Sequence, residues 1–162
     1  MSRIAYVDRL NEKYRSQGFP PYKWSAYDSS PWTPFSKSLA QGCIALISSA
    51  GIFREDQEPF DPWAVNDLSI RVIPKDTPLH KLRLHQNYFD HRDAVRDLNC
   101  VFPVERLQEL ERSGHIGRLA SKTVTLGMGR LYKRAELQKE TVSNILEILK
   151  EQEVDAALLV AA

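Results

Sequence analysis

The sequence predicts an α/β domain in which a mostly parallel sheet is flanked by helices, in the three-layer manner of Rossmann-like or flavodoxin-like folds. Residues 43–47 form a continuous apolar run, which is typical of a central parallel strand that is covered on both faces. Further strand patterns alternate with amphipathic helical patterns, as a parallel sheet requires. With 162 residues, the chain can build one domain with a substantial core, but not two comfortable ones.

The composition narrows the class of partner. Because 22 Lys and Arg face 21 Asp and Glu, the net charge is +1 and creates no large field that would attract nucleic acid or anionic lipid. The charged N-terminus lacks the apolar stretch of a secretory signal, and no segment approaches the roughly 18 apolar residues of a membrane span. We therefore expect a cytoplasmic protein with a small-molecule or protein partner. Cys43 and Cys100 lie among apolar residues and are expected to be buried free thiols.

The N-terminal part, residues 1–36, is expected to be distinct from the α/β domain of residues 37–162. Apolar residues recur at helical spacing within residues 3–16, which predicts a short helix. Residues 19–35 contain four prolines and six aromatic residues, a composition that excludes a helix or a central strand. We expect an extended arm whose rings lie on the domain or on a partner.

The first strand is followed by the small residues Ser48, Ser49, Ala50 and Gly51. Ligands of open α/β sheets bind at the carboxyl ends of the strands, so this turn occupies a favoured place, and its backbone N–H groups could face an anion. Residues 54–67 are acidic and interrupted by proline, which predicts a loop. Alternation over residues 68–74 predicts a second strand that ends at Pro74.

The second half of the chain has clearer periodicity. Pro103 opens a predicted helix that ends near Gly114, and a short strand is predicted at residues 123–126. Residues 132–152 carry apolar side chains at the i, i+3, i+4, i+7 spacing of an amphipathic helix. This helix leads into a final apolar strand at residues 156–161.

The segment between residues 80 and 99 contains the most reactive side chains but predicts no clear element. His80, His85 and His91 are separated by five and six residues, which fits neither a pair on one helix face nor the usual zinc spacings, so no metal site is predicted. His85 with Asp90 and Asp97 could form a cluster for proton transfer or for handling a substrate carboxylate. Ordinary hydrogen bonding within a loop explains the same residues equally well.

Several segments, in order from about Pro31 to the last residue, resemble the component B family of the glycine, sarcosine, betaine and D-proline reductases, which are usually selenoproteins. The most specific are "FPVERLQELERSGHIGRLA" and "VDAALLV". The resemblance implies selenocysteine, or cysteine, directly after the last strand, in a U-x-x-C or C-x-x-C arrangement. Because UGA encodes selenocysteine, our hypothesis is that Ala162 precedes an untranslated selenocysteine and that the domain is incomplete at its C-terminus.

The resemblance also implies a reaction. In the family, a selenolate displaces the amino group of a small amino acid, with electrons that come from dithiols. A pyruvoyl-containing partner subunit binds the amine and makes nitrogen a better leaving group. The residues expected around the nucleophile lie in the polar segment that matches the family: His85, Asp90, Asp97 and Asn99. No cofactor is expected apart from the missing redox residue. Neither Cys43 nor Cys100 aligns with that position, so the 162-residue polypeptide is expected to be inactive.

Two other interpretations remain open. A non-catalytic binding or scaffold module that is complete at Ala162 would cover its last strand and unfold cooperatively. An isomerase of C–N or C–C bonds on a related α/β fold would have only His85 and the acidic residues for its chemistry. A reductase fragment should instead expose apolar surface and self-associate.

Overall fold

The computed structural model describes residues 5–21, 26–127 and 133–162. The chain divides into two compact units, Met1–Pro34 and Phe35–Ala162. In the first unit, the predicted helix is confirmed as α1, Tyr6–Ser16, and its expected start at residues 3–4 lies outside the described residues. Residues 26–34 form neither helix nor strand, as the arm predicts, and residues 22–25 of that arm also lie outside the described part. The packing of the arm stays a prediction.

In its described residues, the second unit contains seven strands, four α-helices and three short 3-10 turns. The strands are β1 Cys43–Ser48, β2 Ile52–Arg54, β3 Ile70–Pro74, β4 Leu82–Leu84, β5 Arg118–Leu119, β6 Lys122–Leu126 and β7 Ala156–Val160. The helices are α2 Arg92–Arg96, α3 Val104–Arg112, α4 Arg134–Glu136 and α5 Val142–Glu151, with a π-helical turn Leu137–Thr141 between the last two. The 3-10 turns are Leu39–Gln41, Leu79–Lys81 and Leu98–Cys100.

The strand β1 is the centre of the main sheet, and all six of its residues are buried. It pairs in parallel with β7 from Ile44 opposite Ala156 to Ser48 opposite Val160. On its other edge it pairs in parallel first with β5 and then with β6. The predicted α/β class with a mostly parallel sheet is therefore confirmed.

The strand β3 confirms the predicted strand near Pro74, but it runs antiparallel to β6. The direction of β3 relative to β6 could not be predicted from the alternating pattern, because alternation indicates only which face of the sheet each side chain is on. The strands β2 and β4 form a separate antiparallel pair, which the sequence patterns did not predict. They extend from the turn that follows β1.

Alternate side chains of β1 pack in two different hydrophobic clusters, one on each face of the sheet. Ile44 and Leu46 pack in a cluster with Val104 and Leu107 of α3. On the opposite face, Ile47 packs in a cluster with Ile145 of α5. The sheet thus has a helix on each face, which is the expected three-layer arrangement.

The last two predicted elements, a long helix and a final strand, are also present. The long C-terminal helix is confirmed from Arg134 onward, while its expected beginning at Tyr132 lies outside the described residues. The side chain of Thr141, in the π-helical turn, is buried and donates a hydrogen bond of 2.8 Å to the Leu68 carbonyl. Within the described ranges, no helix combines the length and the apolar character that crossing a membrane requires.

Candidate functional site

Ser49 joins the carboxyl ends of β1 and β7. Its backbone N–H donates to the Val160 carbonyl at 3.1 Å, which extends the ladder between the two strands by one step. Its hydroxyl accepts the N–H of Ala162 at 3.0 Å and lies 3.4 Å from the Ala162 carbonyl, to which it can donate. The backbone beyond β7 is therefore fixed to the turn after β1.

The rest of this turn is held by neighbouring segments. The Ser48 hydroxyl donates to the Val101 carbonyl at 2.7 Å and accepts the Ala50 N–H at 3.2 Å. The Gly51 N–H donates to the Leu126 carbonyl at 3.1 Å. Since the N–H groups of the turn already have internal partners, the expectation that they face an anion is wrong. The turn acts as a junction between strands.

Gly51 brings His85 against this junction. Gly51 has a φ of +67°, and its carbonyl accepts the His85 N–H at 3.1 Å. The His85 ring packs edge to face on Phe53, with 4.8 Å between centroids, and its Nδ1 lies 3.2 Å from the Phe60 carbonyl. The backbone of His85 thus borders the turn, while its ring contacts the aromatic residues beside β2.

Gln86 is a buried polar residue beside the turn that the sequence analysis missed. Its Oε1 accepts the N–H groups of Asn87 and Tyr88 at 3.0 and 3.2 Å, and its Nε2 reaches the Ser49 carbonyl at 3.5 Å. Glutamine is normally exposed, so its type gave no signal. Its position directly after His85, in a segment already singled out, was the available clue.

The structure places Asp90 on the surface. Both of its carboxylate oxygens accept hydrogen bonds from Arg92, at 2.9 and 3.0 Å from Nε. The bonded Arg92 guanidinium lowers the pKa of the Asp90 carboxyl. Asp90 is therefore an ionised acceptor in an exposed ion pair, and within the described residues it makes no hydrogen bond to His85.

Asp97 and Asn99 form a pair at the start of the Leu98–Cys100 turn. The Asp97 carboxylate accepts the Asn99 backbone N–H at 2.9 Å and its side-chain Nδ2 at 3.0 Å, and these bonds lower the pKa of Asp97. Asn99 Nδ2 also donates to Glu105 at 2.9 Å. Asn99 Oδ1 is buried and has no partner among the described residues, so it is an unused acceptor. Val101, bonded to Ser48, connects this pair to the junction.

Burial was predicted for both cysteines, and the structure shows it for one of them. Cys43 is buried, as predicted, and burial raises the pKa of its thiol, which keeps it protonated. Cys100 was predicted to be buried, but it is exposed. The Leu98–Cys100 turn explains the difference, because Leu98 packs against the core and Cys100 does not. Cys43 lies at the amino end of β1, at the opposite end of the strand from the junction.

The amino end of the sheet is closed by a polar network. The carboxylate of Asp155 accepts hydrogen bonds from Lys37 at 2.7 Å and from the Cys43 N–H at 2.9 Å, and the Lys37 contact is the main reason that the pKa of Asp155 is lowered. A polar depression beside it is lined by Arg118.

In parallel α/β sheets, ligands bind at the carboxyl ends of the strands and not at the amino ends. We therefore place the candidate site at the Ser49 junction. In the described part of the chain, no three His, Cys, Asp or Glu side chains are grouped to hold a metal.

Comparison with known proteins identifies the family. The family model described as glycine/sarcosine/betaine reductase selenoprotein B matches residues 6–162. The chain belongs to this selenoprotein B family. A relative, the D-proline reductase subunit gamma of Acetoanaerobium sticklandii, is 33% identical over 130 residues, which cover 80% of this chain and 52% of the relative.

Two more relatives are named as components of reductase complexes. The glycine reductase complex component B subunit gamma of Symbiobacterium thermophilum is 27% identical over 94% of this chain and 36% of its own length. The sarcosine reductase complex component B subunit beta of Peptoclostridium acidaminophilum is 29% identical over 76% of this chain and 28% of its own. The chain thus spans about half or less of these relatives. No solved structure matches it.

Proposed function

We propose that this chain forms the part of a selenol- or thiol-dependent reductase that directly precedes the nucleophile, and that the complete protein cleaves a C–N bond of a small amino acid reductively. The observation that carries the proposal is the junction at Ser49, where the carboxyl ends of the neighbouring parallel strands β1 and β7 meet in a member of the selenoprotein B family. In the proposal, the redox residue, selenocysteine or cysteine, follows Ala162.

The position is chemically suitable for an anionic nucleophile. A chalcogenate at the carboxyl end of a central strand, where the chain turns into a helix, is stabilised by the helix dipole and by unpaired N–H groups. When present, the residue would attack the α-carbon and form a chalcogen–carbon bond, while the amino group would leave with the C–N bonding electrons and take up a proton. One thiolate of an external dithiol would then attack the chalcogen, and the carbon would leave with the bonding electrons and be protonated. The second thiol of the dithiol would reduce the resulting chalcogen–sulfur bond, which restores the chalcogenate and leaves a disulfide. The residues of this chain would hold the nucleophile at a fixed place and limit the access of water.

The open side of the sheet supports a longer folded protein. Among the described strands, β7 pairs with β1 alone. Leu158 and Leu159 are 40% and 72% exposed, which is unusual for leucines in a mostly parallel sheet. Leu158 and Leu159 point to opposite faces of the sheet, so a further strand that paired with this edge, with a helix on each face, would cover both side chains. The greater length of the relatives supports the same proposal.

The substrate class and the partner come from the relatives. Their names specify D-proline, glycine and sarcosine, which are small amino acids or close derivatives. We therefore propose a small amino acid as substrate and a pyruvoyl-containing subunit as partner. Asn99, with an unused buried acceptor near the junction, and His85 and Asp97 are the proposed surrounding residues. Asp90 would take part only if its ion pair with Arg92 opened.

The first experiment is to sequence the nucleotides after the Ala162 codon. We expect UGA followed by an open frame that encodes a nearby cysteine, with a selenocysteine-insertion hairpin, or else a cysteine codon in frame. A UAA or UAG codon, or a UGA with no frame beyond it, would contradict the proposal. That result would favour the binding or scaffold module.

The activity is tested with the protein from its full reading frame, its partner subunit, a dithiol and each small amino acid in turn. We expect release of ammonia or an amine together with a deaminated acid, or of a ring-opened amino acid where the substrate nitrogen is part of a ring, in equal amounts with dithiol oxidation. Replacement of the redox residue by serine should abolish the release. Equal turnover in the serine variant would show that the nucleophile has been assigned to the wrong place.

A further inference from the structure

We propose that Ser49 is a positioning residue for the reaction: its hydroxyl fixes the direction in which the chain leaves β7, and with it the place of the nucleophile. This inference rests on the proposed function, because it concerns the residue that would follow Ala162. Ser49 would act through its hydrogen bonds to Ala162 and not by direct contact with the substrate. Its effect passes through the backbone of Ala162.

The anchoring of Ser49 is the first support. Its own N–H is bonded to the Val160 carbonyl, so its backbone continues the paired edge of β1. The preceding residue, Ser48, is fully buried and is bonded through its hydroxyl to Val101. The Ser49 hydroxyl is therefore placed by a rigid strand, and a rigid support is what a precisely positioned site requires.

The two contacts with Ala162 are the second support. The Ser49 oxygen accepts the Ala162 N–H at 3.0 Å and lies within donor distance of the Ala162 carbonyl at 3.4 Å. One hydroxyl thus contacts both sides of a single residue, the last one before the proposed nucleophile. Ladder bonds hold β7 only as far as Val160, and beyond it the chain is held by the Ser49 hydroxyl and by packing of Ala162 against the core. Only the hydroxyl contacts are directional, so they set the orientation of the Ala162 backbone.

The chemical requirement is a small hydroxyl side chain. Alanine would leave the Ala162 N–H without its acceptor, and a longer side chain could not place an oxygen so close to the strand. Threonine keeps the hydroxyl on the same carbon. A position that needs only structural support would accept alanine, whereas a positioning hydroxyl should be restored by threonine.

The test uses the protein from its full reading frame with its partner subunit. Three variants are compared: Ser49→Ala, Ser49→Thr and Ser143→Ala. Ser143 is the control, since its hydroxyl is exposed and, among the described residues, bonds only to the Lys139 carbonyl in the π-helical turn before α5. For each variant, kcat and KM are measured, together with the amide hydrogen exchange of Ala162.

In Ser49→Ala, we expect kcat to fall about fivefold or more, the factor that corresponds to one hydrogen bond, with KM unchanged. The Ala162 amide should exchange about fivefold faster, while the amides of β1 keep their protection. Ser49→Thr should restore most of kcat, and Ser143→Ala should match the parent protein.

Faster exchange at Ala162 without a change in kcat would overturn the positioning role and leave the reductase proposal standing. A raised KM with unchanged kcat, or a loss of kcat in Ser49→Thr equal to that in Ser49→Ala, would also overturn it. If Ser49→Ala does not fold, the threonine variant and the amide exchange of the parent protein still test the proposal. An Ala162 amide that is unprotected in the parent protein would show that the Ser49 hydroxyl does not hold it. Absence of all reductase activity in the parent protein would instead refute the proposed function.

Discussion

Gly51 shows how one residue determines the shape of the junction. It combines a φ of +67° with a close approach to His85, since a Cβ built at Gly51 would lie 2.4 Å from the His85 carbonyl oxygen. Both features exclude a side chain, the first by backbone strain and the second by contact with backbone that cannot move alone. The sequence predicted a turn here, but the second constraint depends on a residue that lies far along the chain.

Replacement of Gly51 by alanine should lower the free energy of unfolding by about 3 kcal/mol, since a left-handed backbone penalty adds to overpacking. The control is Gly114→Ala, where φ is +73° but nothing lies within 4 Å of the added Cβ. That variant should lose only about 1 kcal/mol. Urea unfolding of both variants measures the difference, and equal losses would mean that the contact with His85 has no energetic weight.

Other single residues show where sequence reasoning stops. Asp97 and Asn99 were singled out because their segment resembles a polar segment of the family, and the structure brings them together in one hydrogen-bonded pair. Ser49 and Gln86 were not singled out as site residues, because their roles arise from contacts with Ala162 and with the turn. Residue type predicts chemistry, but partners that are distant in sequence decide which groups remain available.

At the scale of elements, α3 is fixed to the sheet by Glu111. Its carboxylate accepts two hydrogen bonds from Lys75, at 2.7 and 2.8 Å, and the Leu119 N–H at 3.0 Å. Both charged side chains are about four-fifths buried, with 20% and 23% exposure. Burial opposes the charge of Glu111, but the bonds from Lys75 and Leu119 outweigh it, so its pKa is lowered.

Glu111→Gln should lower the free energy of unfolding by roughly 2 kcal/mol at neutral pH, because Lys75 loses a partly buried charged partner. Since the folded-state pKa of Glu111 is lowered, its stabilisation is present above the unfolded-state pKa and is lost as pH falls through the folded-state pKa. The difference between parent and variant should therefore shrink in acid.

Thermal or urea unfolding as a function of pH measures this effect. Glu109→Gln is the matched control on the same helix, since Glu109 makes an exposed ion pair with Arg106 at 3.0 Å. It should change stability by less than about 0.5 kcal/mol at any pH. A difference for Glu111→Gln that persists unchanged in acid would show that its charge is not what stabilises the contact.

Element existence was more predictable than element relations. The apolar run of β1 and the spacing of α3 and α5 came from local pattern, and all three are present. The direction of β3 and the pairing of β2 with β4 could not be predicted from local pattern, because the sequence of a strand of three to five residues does not indicate which strand it pairs with.

At the scale of the whole molecule, the outer edge of β7 determines how the 162-residue chain should behave in solution. An unpaired strand edge with exposed apolar side chains promotes association. We expect the isolated chain to form homo-oligomers with rising concentration. Sedimentation velocity at several concentrations measures this directly.

Leu159→Lys should weaken that association about tenfold, which corresponds to about 1.4 kcal/mol, without lowering stability. The control is Val95→Lys on α2, because Val95 is 69% exposed and Leu159 is 72% exposed. Val95→Lys should associate like the parent chain. A parent chain that stays monomeric at all concentrations would contradict the prediction and favour the scaffold interpretation.

The central place of β1 also has a consequence for synthesis on the ribosome. β1 is made early, yet its parallel neighbours begin only at Arg118 and Ala156. At about 5–20 residues per second, a strand whose side chains must all be buried waits several seconds or more for its first neighbour. During that interval, the nascent chain carries an apolar segment with no native cover, so we expect it to depend on chaperones that bind such segments. The strand that organises the finished sheet is thus the one most vulnerable while the protein is being made.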